Sequence, residues 1–89
     1  MPSTTVVVGS SIGLHARPAG IIADTVNNFG YEVTLAVVGA DEDDEPVDAG
    51  SALMIMSLGA SVGTEVIVSS DDPQAVAAIA ELVAADLDA

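Results

Sequence analysis

The chain has no cysteine and no lysine, and Arg17 is its only strongly basic residue, two positions from its only histidine, His15. Without cysteine there are no disulfides, no zinc–thiolate sites and no thiol catalysis. Fourteen carboxylates against one guanidinium give a formal charge of −13. That balance excludes nucleic acid phosphates and anionic lipid surfaces as partners, since both are bound through basic surface. No stretch of the sequence approaches the roughly 20 apolar residues of a membrane span. The segment Met1–Val8 lacks the positive region of a secretory leader, so the expected setting is the cytoplasm.

What is present is a foldable core. Half of the 89 residues are apolar, rich in Val, Ala, Leu and Ile, which separates the chain from a disordered acidic tail. Residues 1–89 are expected to form one domain, burying roughly 60–65% of the unfolded surface and so holding little stability in reserve. An apolar core inside Asp and Glu, with lysine absent, fits a protein that works in concentrated salt. There the Debye length shrinks to about 3 Å at 1 M and self-repulsion is screened. The expected outcome is a melting temperature that rises steeply from dilute buffer to molar salt. Undiminished stability in dilute buffer would leave an acidic protein of ordinary salt tolerance.

The order of elements follows from spacing. Thr4–Val8 reads as a β-branched strand, and Gly9–Gly13 as a loop. Pro18 suits the first turn of a helix, where its missing N–H costs nothing. Ala19, Ile22, Ala23 and Val26 then recur at helical spacing until Gly30. Tyr31, Val33, Leu35 and Val37 alternate as in a half-buried strand. Asp41–Glu45 and Pro46 cannot extend it, because consecutive carboxylates repel and proline cannot donate to a ladder. A brief strand is expected around 46–48. Ser51 is a good N-cap for a short helix from Ala52 to Leu58, closed by Gly59. Glu65–Ser69 reads as a strand with Val66 and Val68 on one face. Asp72 and Pro73 open a last helix with the stripe Val76, Ile79, Ala80, Val83 and Leu87. The resulting β-α-β-β-α-β-α order in so short a chain points to an α+β fold, an antiparallel sheet with helices on one face.

The chemistry is concentrated in the run Gly13-Leu14-His15-Ala16-Arg17-Pro18-Ala19. A neutral imidazole is a good nucleophile toward phosphorus, and the phosphoramidate it forms can pass the group on. Such transfer needs mainly positioning and positive partners. A helix starting at Ala16 and Arg17 offers free N–H groups and the positive dipole end. The guanidinium offers a planar fork for phosphate oxygens, which an ammonium would not. Gly13 permits close backbone approach and Pro18 stiffens the turn. A bare His-x-Arg also fits a helix cap beside a solvated guanidinium. The uniqueness of both residues and their Gly and Pro neighbours favour the anion site.

This run resembles the active-centre signature of the HPr phosphocarrier proteins of the sugar phosphotransferase system. Ser51–Gly59 is similar to the family's second segment, a serine leading into a short helix, and the element order resembles the family along the whole chain. The resemblance implies an open-faced β-sandwich of four antiparallel strands with three helices on one face. It implies that His15 accepts a phosphoryl group on its Nδ1 atom from phosphorylated enzyme I. The group then passes to the IIA domain of a sugar permease, or to a dihydroxyacetone kinase subunit. Arg17 would steady the phosphate, and Ala52, Leu53 and Met56 would dock both partners. Met56 suits two different surfaces, being flexible and polarizable; packing of the short helix is the alternative for all three, and more so for Met54 and Ile55. No cofactor and no metal is implied, and relatives of this kind act as monomers.

The sequence departs from the family in three places. Asp24, Asn27 and Gly50 stand at docking positions where many relatives carry basic residues, so recognition must rest on apolar contact and shape. Ile12 stands where a small polar residue often faces the phosphate, and Asp41–Glu45 looks like an insertion. Ser51 matches a serine that some bacterial relatives phosphorylate for regulation, which would add negative charge near the docking surface; capping of the short helix is the simpler reading. The acidic run lacks the glycine and alternating spacing of a calcium loop. Two other functions fit the composition: a catalytic domain with His15 as general base, and an interaction module without phosphate chemistry. No partner acid or nucleophile is readable for the first, and retention of both His15 and Arg17 argues against the second.

Overall fold

The computed structural model describes residues 2–9, 16–30, 32–39, 46–59 and 61–85. His15, Gly13, Ile12, Tyr31, the acidic run Asp41–Glu45 and Leu87 lie outside the described residues. The elements are β1 (Ser3–Val7), α1 (Ala16–Phe29), β2 (Val33–Val37), β3 (Val47–Asp48), α2 (Ala52–Ser57), β4 (Glu65–Ser70) and α3 (Pro73–Ala84). They form one four-stranded sheet in the order β1-β4-β2-β3, every neighbouring pair antiparallel.

Period-two alternation decides which face is covered. Leu35 lies between Val68 and Val47, and Val33 beside Ser70; all five side chains are buried. Thr34, Ala36, Ile67 and Ser69 point to the other, helix-free face and are only half-buried. α3 covers β1 and β4, α2 meets β3, and α1 packs against both other helices. The arrangement is the open-faced sandwich that the resemblance implies.

Each helix lies where its stripe directs it. α1 buries Ala19, Ile22, Ala23 and Val26, and α3 buries Val76, Ile79, Ala80 and Val83. Asp72 caps α3 by accepting from the Gln74 N–H at 3.2 Å. Ser70, the one buried polar residue among those described, donates from its hydroxyl to the Glu32 carbonyl at 2.7 Å. That bond satisfies a group whose unpaired burial would cost about 1–3 kcal/mol. The first strand begins and ends one residue earlier than its β-branched run suggests. Val8 still exchanges bonds with the Thr64 and Gly63 backbone, and it is buried.

Gly9 is a close-approach glycine. Its N–H donates to the Val83 carbonyl at 3.1 Å, satisfying one of the last carbonyls of α3. A Cβ at this position would fall on the Ala84 carbonyl oxygen and within 2.7 Å of its carbon, both rigid backbone. Gly9→Ala is expected to destabilise the domain by about 1–3 kcal/mol, read as a lower urea midpoint. An unchanged midpoint would mean that the α3 terminus yields freely.

Candidate phosphoryl-acceptor site

α1 begins at Ala16, directly after His15 in the chain. The helix starts here because Pro18, its third residue, has a fixed φ and no N–H that the first turn would need. The Pro18 ring is fully buried and anchors the turn to the core, whereas Ala16 and Arg17 are exposed. Intrahelical bonding leaves the first N–H groups of a helix without partners. Those of Ala16 and Arg17 have no acceptor among the described residues.

No acidic residue occupies the first turn of this 14-residue helix; the first carboxylate of the chain, Asp24, comes two turns later. The positive dipole end, worth about half an elementary charge, is therefore not neutralised from within its own helix. Arg17 adds a full charge beside it. The exposed first turn thus brings backbone donors and a guanidinium together at one helix start, chemistry that suits an anion. Among the described residues no group of three or more His, Asp or Glu side chains is placed to hold a metal ion.

The second motif forms α2, a helix of six residues. Ser51 caps it as its sequence position suggests, its hydroxyl accepting from the Met54 N–H at 3.3 Å. The loop before it is tied twice: the Gly50 N–H donates to Asp48 Oδ1 at 2.8 Å, and Asn27 Nδ2 donates to the Gly50 carbonyl at 3.2 Å. The second bond joins α1 to the entry of α2. So Asn27 and Gly50, two of the positions where basic residues are missing, carry a structural contact.

Burial sorts the residues of this helix. Ala52, Ile55 and Leu58, three apart, form the inward stripe: Ile55 is fully buried, and Ala52 and Leu58 pack against the core in half-buried positions. Leu53 is 74% exposed, Met54 43% and Met56 36%. Met54, expected inside from its apolar character, is therefore an outward residue. A helix of under two turns has room for one buried row, and Met54 lies off it. The exposed surface consists of Leu53, Met54 and Met56, with Ala52 at its inner margin. Sequence reasoning missed Met54, although the i, i+3 spacing from Ala52 to Leu58 carried the signal. No helix among the described residues is long and apolar enough to cross a membrane.

Comparison with known proteins agrees with this geometry. Residues 2–85 match the family described as the PTS HPr component phosphorylation site. The phosphocarrier protein HPr of Streptomyces coelicolor is 41% identical over 91 aligned positions, covering 99% of this chain and 94% of that one. The multiphosphoryl transfer protein of Salmonella typhimurium is 32% identical over 96% of this chain, which spans only 23% of that longer protein. Among solved structures, the crystal structure of HPr from Thermoanaerobacter tengcongensis superposes with a TM-score of 0.81 at 30% identity, covering 100% of this chain and 98% of that one. The chain belongs to the HPr family, the phosphocarrier proteins of the phosphotransferase system.

Proposed function

We propose that His15 is the phosphoryl acceptor of a relay, taking the group from phosphorylated enzyme I and giving it to a IIA domain. The observation that carries this reading is the exposed first turn of α1. It follows the histidine directly, bears the only guanidinium and carries N–H groups at Ala16 and Arg17 that have no acceptor among the described residues. The incoming phosphorus forms a bond to Nδ1 of the neutral imidazole as its bond to the donor breaks. The reverse exchange at the next protein releases it. Arg17 and the two amides meet the equatorial oxygens in both steps, so the phosphoramidate is held without being trapped. Gly13 and Pro18 support this geometry, one by allowing approach and the other by fixing the turn.

Partner docking falls to the exposed face of α2, with Leu53 and Met56 as its centre, Met54 added to them and Ala52 at the margin. Thioether chains there adapt to two successive partners. The chain acts as a carrier with no turnover of its own, in the cytoplasm and without a resident cofactor or metal. Ser51 serves as helix cap. A dihydroxyacetone kinase subunit is the other acceptor class whose chemistry fits. The strongly acidic surface is an adaptation to concentrated salt.

Incubation with phosphoenolpyruvate and a matching enzyme I tests the reading by intact mass. One acid-labile phosphate per chain is expected, discharged on adding a IIA domain; no uptake in molar or dilute salt would end it. Arg17→Lys separates the assigned role from folding. Losing one charge-assisted bond of a bidentate pair, about 1.5 kcal/mol, corresponds to about tenfold slower transfer. Because Arg17 is exposed, the melting temperature is expected to stay nearly constant. A parallel loss of rate and stability would assign it a structural role instead.

A further inference from the structure

α2 carries all the sulfur among the described residues. The chain has three methionines and no cysteine; Met1 lies outside the described residues, and the other two are Met54 and Met56. Cysteine, whose thiolate oxidants attack first, is absent, so these thioethers are the softest nucleophiles the described chain offers.

Both are exposed, on either side of Leu53. A helix turns about 100° per residue, so Met54 lies about 100° to one side of Leu53 and Met56 about 60° to the other. Ile55 is buried behind them. A partner seated on Leu53 therefore covers thioether on one flank or both. The segment Ala49–Thr64 has no charged residue. The hydroxyls of the helix and its cap are engaged with the backbone of Met54: Ser51 accepts from its N–H at 3.3 Å, and Ser57 donates to its carbonyl at 2.6 Å. A strongly polar oxygen on either sulfur would thus sit on an apolar surface, and a partner closing over it would bury an acceptor without a donor from α2.

We infer that Met54 and Met56 form an oxidation switch, on which a hydroperoxide makes two sulfoxides and weakens docking at α2. The chemistry balances with one peroxide per sulfur. A lone pair on Sδ attacks the nearer peroxide oxygen, the S–O bond forms as the O–O bond breaks, and the proton of that oxygen leaves with the departing hydroxide as water. Sulfur is oxidised by two electrons and the peroxide is reduced by two. A methionine sulfoxide reductase, supplied with electrons by a dithiol, returns the thioether and releases the oxygen as water. Because Met54 and Met56 lie off the buried row of Ala52, Ile55 and Leu58, oxidation changes the surface and spares the core. The effect on docking rests on the phosphocarrier reading; the chemistry at sulfur does not.

Hydrogen peroxide treatment followed by peptide mass mapping tests it. One added oxygen is expected at Met54 and one at Met56, with the melting temperature nearly unchanged. Phosphorylated enzyme I is then expected to show a KM about tenfold higher for the oxidised chain, with the rate at saturation preserved. Sulfoxide reductase and a dithiol are expected to restore the starting KM. In the double variant Met54→Leu, Met56→Leu, treated and untreated samples are expected to behave alike, whatever the variant's own starting rate. An unchanged KM for a chain oxidised at both residues would overturn the inference. So would a melting temperature that falls in step with transfer, or a peroxide effect that persists in the double variant. No phosphate uptake by the untreated chain would end the relay reading and the switch together.

Discussion

Replacing His15 with alanine is expected to reduce phosphate uptake from one group per chain to none, while the fold stays intact. The effect is all or nothing because the reaction is nucleophilic. No other side chain of the chain offers an uncharged nitrogen nucleophile at neutral pH: there is no lysine, no cysteine and no second histidine. Serine and threonine hydroxyls abound, but none can attack phosphorus without an activating base. The helix that follows stays in place because its anchor is Pro18 and its stripe is Ala19, Ile22, Ala23 and Val26, all buried. Circular dichroism and the melting curve are therefore expected to match the parent. Phosphate still gained by the variant under the same donor would mean that another residue is the acceptor, and the relay reading would fail at its first step.

The second large effect concerns stability. Leu35 lies on an inner strand, paired with Val68 on one side and Val47 on the other, and is fully buried under the helices. Leu35→Ala removes a methine and two methyl groups from a rigid sheet that cannot close the gap. Such truncations cost about 2–5 kcal/mol. For a domain of this size each kcal/mol lowers the melting temperature by roughly 4–8 °C, so a drop of at least about 8 °C is expected. The loss is most severe in dilute buffer, where self-repulsion of the acidic surface already weakens the compact state. A drop of only a few degrees would mean that the core repacks around the gap, and that the sheet is looser than its burial suggests.

Much of this was legible in the residues. The stripes of α1 and α3 appear at their expected positions because 3.6-residue periodicity depends on nothing beyond the helix itself. The caps at Ser51 and Asp72 were readable for the same reason, being local hydrogen bonds. Strand pairing was not readable. Nothing in the period of β1 or β4 says that the first strand pairs with the last, because that choice is made by contacts more than fifty residues apart in sequence. Met54 was misplaced because apolar character was weighed before the geometry of a six-residue helix. The site was legible in its chemistry, through a single imidazole, a single guanidinium and a helix-opening proline. Ala16 and Arg17 are exposed, and Pro18 is buried in the same turn. His15 itself lies outside the described residues, and its role rests on the turn that follows it and on the family to which the chain belongs.

The measurement that bears most directly on the central claim is nitrogen-15 NMR of the imidazole before and after charging with phosphoenolpyruvate and enzyme I. A chain with one histidine gives one imidazole spectrum, with no assignment to make. The account expects the Nδ1 resonance to shift and couple to phosphorus, and to return to its starting position when a IIA domain is added. An imidazole spectrum unchanged while the chain gains phosphate would contradict it.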